Sequence, residues 1–113
     1  MKTKKHNKNF LDIYPIEVDK LTIKNDKLLE RAILGICGEA GELVEVLKKF
    51  YRGDFETKEL YKRLIKEAGD VLFYLTLLSN LLGVSLSEIA YINIQKLKDR
   101  KKRKKLQGDG DER

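Results

Sequence analysis

Residues 28–50 read LLERAILGICGEAGELVEVLKKF, and this stretch decides the fold. Leu28, Leu29, Ala32, Ile33, Ile36, Ala40, Leu43, Val44, Leu47 and Phe50 recur at helical spacing, as in a helix that lays one face on a core. Set into this apolar pattern are the paired acids of Glu39-Ala40-Gly41-Glu42. The same device returns downstream as Glu67-Ala68-Gly69-Asp70. Positions i and i+3 are neighbours on a helix, so each tetrapeptide holds two carboxylates close together. Like charges at that separation repel, and half-burying either one costs more. Two near-identical instances point to neutralisation by a hard cation. Carboxylates facing one another across two helices suit Mg²⁺ or Mn²⁺.

Working outward, Arg52-Gly53-Asp54 breaks the first long helix, with Gly able to take the left-handed conformation. The next helix runs from near Thr57 to about Leu82. Its main stripe is Leu60, Leu64, Ile65, Ala68, Val71, Leu72, Leu75, Leu78 and Leu82, while Phe73, Tyr74, Leu77 and Leu81 fall on the other side. A helix apolar all round is buried all round, and in so small a chain that burial requires a second subunit. Gly83 ends this helix, and Ser85-Leu86-Ser87-Glu88 reads as a capping box with Val84 and Ile89 as its staple. A last helix carries Leu86, Ile89, Ala90, Ile92, Ile94 and Leu97 into a basic segment. Upstream, Leu11, Ile13, Tyr14, Ile16, Val18 and Leu21 predict a short helix after Pro15, and Asn25 or Asp26 is placed to cap the long helix that follows. No segment carries a strand pattern. The expected fold is all-α, a bundle of about four helices completed by dimerisation.

The 113 residues predict one domain: a flexible basic start over 1–10, a helical domain over 11–105 and a polar Gly/Asp tail over 106–113. Apolar residues make up 42%, enough for a modest core. The single cysteine, Cys37, excludes an intramolecular disulfide, and the single His6 lies in the basic start, which argues against a Cys–His nucleophile. The start has no apolar signal segment. The longest greasy run, Val71 to Val84, is broken by Thr76, Ser79, Asn80 and Gly83 and falls short of the ~20 residues a spanning helix needs. A cytoplasmic protein with no membrane partner is the expectation.

The net charge of +6 gathers at Lys2, Lys4, Lys5 and Lys8, and again at Lys96, Lys98 and Arg100 to Lys105. The second cluster raises an alternative: a non-enzymatic helical protein that binds nucleic acid through residues 96–105. That run has no interleaved aromatics and leaves the paired acids unexplained, so nucleic acid is the lesser reading. Lys48, Lys49, Lys66 and Arg63 offer the plainer account of the acids, as surface ion pairs. On a helical wheel Glu39 lies roughly 80° and Glu42 roughly 140° from their stripe, and Glu67 and Asp70 repeat the arrangement at roughly 70° and 130°. One acid of each pair therefore borders the core. If the two helices pack antiparallel, all four carboxylates can line one groove. Glu45 points away from the stripe and reads as a solvated acid ahead of a metal ligand or an outer-shell base.

With these residues in view, the chain resembles the MazG-like all-α nucleoside triphosphate pyrophosphohydrolases. The resemblance rests on Gly38-Glu39-Ala40-Gly41-Glu42, then Glu67-Ala68-Gly69-Asp70-Val71-Leu72, then Asn93-x-x-Lys96-Leu97-x-x-Arg100, with residues 43–66 as the spacer between the ExxE and ExxD motifs. The closing Gly108-x-Gly110-Asp111-x-Arg113 is similar to the end of small, phage-type members. The resemblance implies Mg²⁺, with Mn²⁺ as an alternative, held by Glu39, Glu42, Glu67 and Asp70. It implies a homodimer or homotetramer that cleaves an NTP or dNTP between the α- and β-phosphates, in nucleotide pool cleansing or nucleotide metabolism. Lys96 and Arg100, four apart on one helix face, would reach the phosphates with Asn93, and Arg113 would close on them from the tail. For stacking on a base the available aromatics are Tyr14, Tyr51, Phe55 and Tyr74, with core packing as their other role.

Overall fold

The computed structural model describes residues 9–103, so Arg113 and the polar tail lie outside the described residues, as does most of the basic start. Four helices follow in order among them: α1 (Phe10–Leu21), α2 (Leu28–Tyr51), α3 (Thr57–Leu82) and α4 (Leu86–Lys102). The fold is all-α, as expected.

α2 and α3 form an antiparallel hairpin. Its turn is built from the expected breaker: Gly53 sits at φ +90°, and its N–H donates to the Phe50 carbonyl at 2.9 Å. The Arg52 guanidinium grips the Asp54 carboxylate, with Nε 3.1 Å from both oxygens. That contact holds Asp54 below the usual carboxylate range. Arg63 lies over the Phe55 ring at 4.2 Å and bonds Glu59 at 3.1 Å.

Two contacts set the register of the hairpin. Ala32 of α2 is fully buried with Leu77 of α3, and one turn along, Gly35 lies against the ring of Tyr74. A Cβ added to Gly35 would come within 2.4 Å of Tyr74 Cδ1. The absent side chain is what lets the ring lie flat on the α2 backbone.

This register turns α3 differently from the expected stripe. Its inner face is Phe73, Tyr74, Leu77 and Leu78, packed with Val18, Ala32, Tyr14 and Leu28. Ile65, Leu75 and Leu82 of the expected stripe stay exposed. A helix apolar on every side has no inner face of its own; the small residues of the partner helix choose one. Thr76 and Ser79 are also buried, their hydroxyls returned to the Leu72 and Thr76 carbonyls at 2.8 and 2.7 Å. A polar side chain satisfied within its own helix can be buried at little cost.

α1 starts at Phe10, well before Pro15, so the expected start after that proline is corrected. Pro15 removes one N–H from the interior of the helix. Its carbonyl instead accepts the Asn80 amide at 3.0 Å, which fastens α1 across α3. The cap of α2 is a second correction. The residue at its start is Lys27 at φ +60°, with no side-chain cap, and Asn25 is drawn off to accept Arg31 Nη1 at 2.7 Å. Ser85 caps α4 as expected, accepting the Glu88 N–H at 3.0 Å. α4 then leaves α3 at 95°. No single described helix is long and apolar enough to cross a membrane.

The register predicts a sharp response at its tightest point. Gly35→Ala should lower stability by about 1–3 kcal/mol, the usual cost of overpacking, with Gly35→Ala/Tyr74→Leu recovering part of the loss. Urea unfolding monitored by circular dichroism checks this; an unchanged midpoint in the single variant would remove Gly35 from the role.

Candidate metal centre

Carried one turn beyond Gly35 and Tyr74, the same register sets Glu39 of α2 against Asp70 of α3. One further turn of α3 brings in Glu67. The structure gathers these three: one carboxylate oxygen from each of Glu39, Glu67 and Asp70 lies within 4.8 Å of the other two. Glu39 and Glu67 are half-buried and Asp70 is exposed. Glu42 is exposed and stands outside this set of oxygens, although its charge still acts on Glu39.

The electrostatics follow from this placement. Glu39 has its carboxyl pushed above the ordinary value, first by partial burial, then by the negative charges of Asp70, Glu67 and Glu42 in that order. Among the described residues no ion pair relieves the cluster. Arg63, one of the cations offered by the surface-charge account, is taken up by Glu59. Three acids brought together with no basic partner among the described residues form an all-oxygen anionic donor set. Such a set suits a hard divalent cation such as Mg²⁺ or Mn²⁺.

The remaining expected residues fall elsewhere. Asn93 is exposed, Lys96 half-buried and Arg100 only 3% exposed, all on α4. Among the described residues the α4 backbone meets α3 and neither α1 nor α2. One residue that feels the cluster stands in the sequence only among the aromatics available for stacking on a base. Tyr14 of α1 is half-buried beside the core, and its phenol is pushed above the ordinary tyrosine value by burial and then by the Asp70 charge. Only the crossing of α1 over α3 brings it there, and no pattern within α1 shows that crossing.

The Glu39 shift has a pH signature. Below the ordinary carboxylate range Glu39 is protonated in both folded and unfolded chain, and its repulsion is absent. As pH rises towards the raised folded value, the unfolded chain ionises more readily and the metal-free fold loses stability. Glu39→Gln should therefore melt higher than the parent at pH 7 in low salt and EDTA, with the difference closing towards pH 4. Mg²⁺ at a hundredfold excess over Kd should stabilise the parent at pH 7 by about 2.7 kcal/mol, and Glu39→Gln far less. Thermal melts with and without Mg²⁺ check both; a Gln variant that melts lower and responds equally to Mg²⁺ would contradict the cluster.

Residues 28–104 match the MazG nucleotide pyrophosphohydrolase domain, a span that runs from the start of α2 through α4 and includes all three gathered acids. The chain is similar to the Gene 37 protein of Mycobacterium phage L5, 39% identical over 103 residues, which covers 89% of this chain and 88% of the phage protein. No solved structure matches the chain. The α2–α3 hairpin, α4 and the three gathered acids lie within the matched span, and the chain belongs to the MazG nucleotide pyrophosphohydrolase family.

Proposed function

We propose that this protein is a Mg²⁺-dependent nucleoside triphosphate pyrophosphohydrolase, cleaving an NTP or dNTP between the α- and β-phosphates in the cytoplasm. The observation that carries the reading is the meeting of Glu39, Glu67 and Asp70 oxygens within 4.8 Å on the seam of α2 and α3. These three carboxylates would hold Mg²⁺, or Mn²⁺. When bound, the cation supplies charge neutralisation for the polyphosphate and acidifies a coordinated water. Glu42 lies on the same helix as Glu39 but outside the three gathered oxygens. We assign it the proton from the attacking water. The water oxygen bonds to the α-phosphorus, the bond from that phosphorus to the bridging oxygen breaks, and pyrophosphate departs with that oxygen. Nucleotide pool cleansing or nucleotide metabolism is the role such a reaction would serve.

Asn93, Lys96, Arg100 and Arg113 are proposed as the phosphate-facing set. α4 stands at 95° to α3 and does not close over the α2–α3 seam. A second copy of the chain would complete the enclosure, as a homodimer or a dimer of dimers. Large apolar side chains left uncovered on α2 support this, with Leu34 at 69% and Val44 at 65% exposure.

The test is pyrophosphate release from the common NTPs and dNTPs with Mg²⁺. Glu67→Gln and Asp70→Asn should each lower kcat/KM by about 100-fold, the upper end of what changing even a residue that only supports a metal ligand costs. Glu42→Gln should lower kcat while leaving Mg²⁺ binding by calorimetry intact. Full turnover in the Glu67 and Asp70 variants would refute the assignment. Sedimentation of the parent chain, expected at twice the monomer mass or above, checks the assembly.

A further inference from the structure

One turn of α3 beyond Asp70, the same helix face carries Phe73 and Tyr74. They form one wall of a half-open cavity of about 190 Å³, closed on the other sides by the end of α1 and the start of α2. Its size suits one planar ring system, since a cavity of roughly 150 Å³ accepts benzene. The Phe73 and Tyr74 rings stand nearly perpendicular, at 83° with centroids 5.4 Å apart, so the wall offers both a ring face and a ring edge. Opposite them the lining includes Thr22 and Arg31. The Thr22 hydroxyl is committed as a donor to the Val18 carbonyl at 2.7 Å. Arg31 is anchored through Nη1 on the Asn25 side chain at 2.7 Å. A guanidinium carries five N–H donors in a planar fork. The anchor uses one, and the side chain that lines the cavity keeps further N–H donors.

We propose that this cavity is the nucleobase subsite and that Arg31 selects guanine. The proposal rests on the reading that the triphosphate lies at Glu39, Glu67 and Asp70. From there a ribose spans the single helical turn to Phe73 and Tyr74, and the base enters between the aromatic wall and Arg31. Guanine presents O6 and N7 as adjacent acceptors, which a guanidinium fork meets with two parallel bonds. Adenine places an amino donor where O6 would be and meets Arg31 donor against donor. Uracil and thymine offer O4 alone, and rank between them. Arg31 acts on binding and does not touch the reacting phosphorus, so its effect belongs in KM.

The experiment pairs kinetics with binding. Pyrophosphate release from GTP and ATP gives KM and kcat for the parent, Arg31→Ala and Arg31→Lys. Calorimetric titration with GMP and AMP, which lack the reacting bond, reads the subsite without turnover. A good bidentate pair discriminates by about 10-fold or more. We expect the parent to favour GTP over ATP by at least that ratio in KM, and Arg31→Ala to abolish the preference in both KM and GMP binding while kcat moves less. Arg31→Lys should also lose it, because a point charge has no fork. Arg31 is exposed, so its variants are expected to fold, and circular dichroism verifies this. A parent that releases pyrophosphate without preferring guanine, or a preference that survives Arg31→Ala or Arg31→Lys, overturns the subsite and leaves the hydrolase reading standing. GMP binding that depends on Arg31 in a chain that hydrolyses no NTP overturns the hydrolase reading and leaves the base site.

Discussion

The close approach of α2 and α3 at Gly35 and Tyr74 is the constraint on which the other features depend. An aromatic ring laid on a helix backbone tolerates almost no sliding, because a shift of one residue would bring Ile36 or Leu34 to the ring. The hairpin is therefore locked in register, and Ala32 seats against Leu77 on one side of the lock. On the other side the lock sets Glu39 against Asp70. Two carboxylates do not approach across a helix pair through any attraction of their own. Apolar packing a turn away holds them there, and it must outweigh their repulsion in the metal-free chain.

That arrangement separates the source of stability from the source of chemistry. The core of Val18, Ala32 and Leu77, with its surrounding aromatics, lies towards the α1 side of the lock. The Arg52–Asp54 grip and the Phe50–Phe55–Arg63 cluster close the opposite end of the hairpin. The acids sit between two regions of firm packing. They are thus kept near one another when unneutralised, which is the preorganisation that a cation site needs. The Glu39 carboxyl is accordingly pushed above its ordinary value, by burial first and then by the charges of Asp70, Glu67 and Glu42.

Much of this was legible in the residues. The helices α2, α3 and α4 follow from apolar periodicity and from Gly53, Gly83 and Ser85, because breakers and caps act over a few residues and leave a local mark. The meeting of Glu39, Glu67 and Asp70 was legible because two matched tetrapeptides on amphipathic helices are costly without a shared purpose, while Glu42, expected with them, stands outside the gathered oxygens. The rest depended on contacts distant in sequence. The inner face of α3 was hidden because apolar residues surround the helix, and the choice among faces was made by Ala32 and Gly35 on another element. The start of α1 was hidden because Pro15 is normally a boundary, and the Asn80 amide that engages its carbonyl is supplied from α3. Asn25 was expected as a cap by type, but its side chain is occupied by Arg31. Each of these departures is a tertiary contact overriding a local preference.

α4 follows a different logic from the hairpin. Its start is locally specified, by the Ser85 cap and the left-handed Gly83, yet its course at 95° to α3 leaves Tyr91, Ile92 and Ile94 exposed. Among the described residues its backbone meets α3 alone, and in proteins most helical stability comes from packing an apolar face. The basic row of α4 would be useful to a polyphosphate only if held over the seam. In the proposed assembly one event, the burial of α4 and the uncovered face of α2 against a second copy, would stabilise the helix and position its cations together. Catalytic competence would then be linked to association by that same apolar surface.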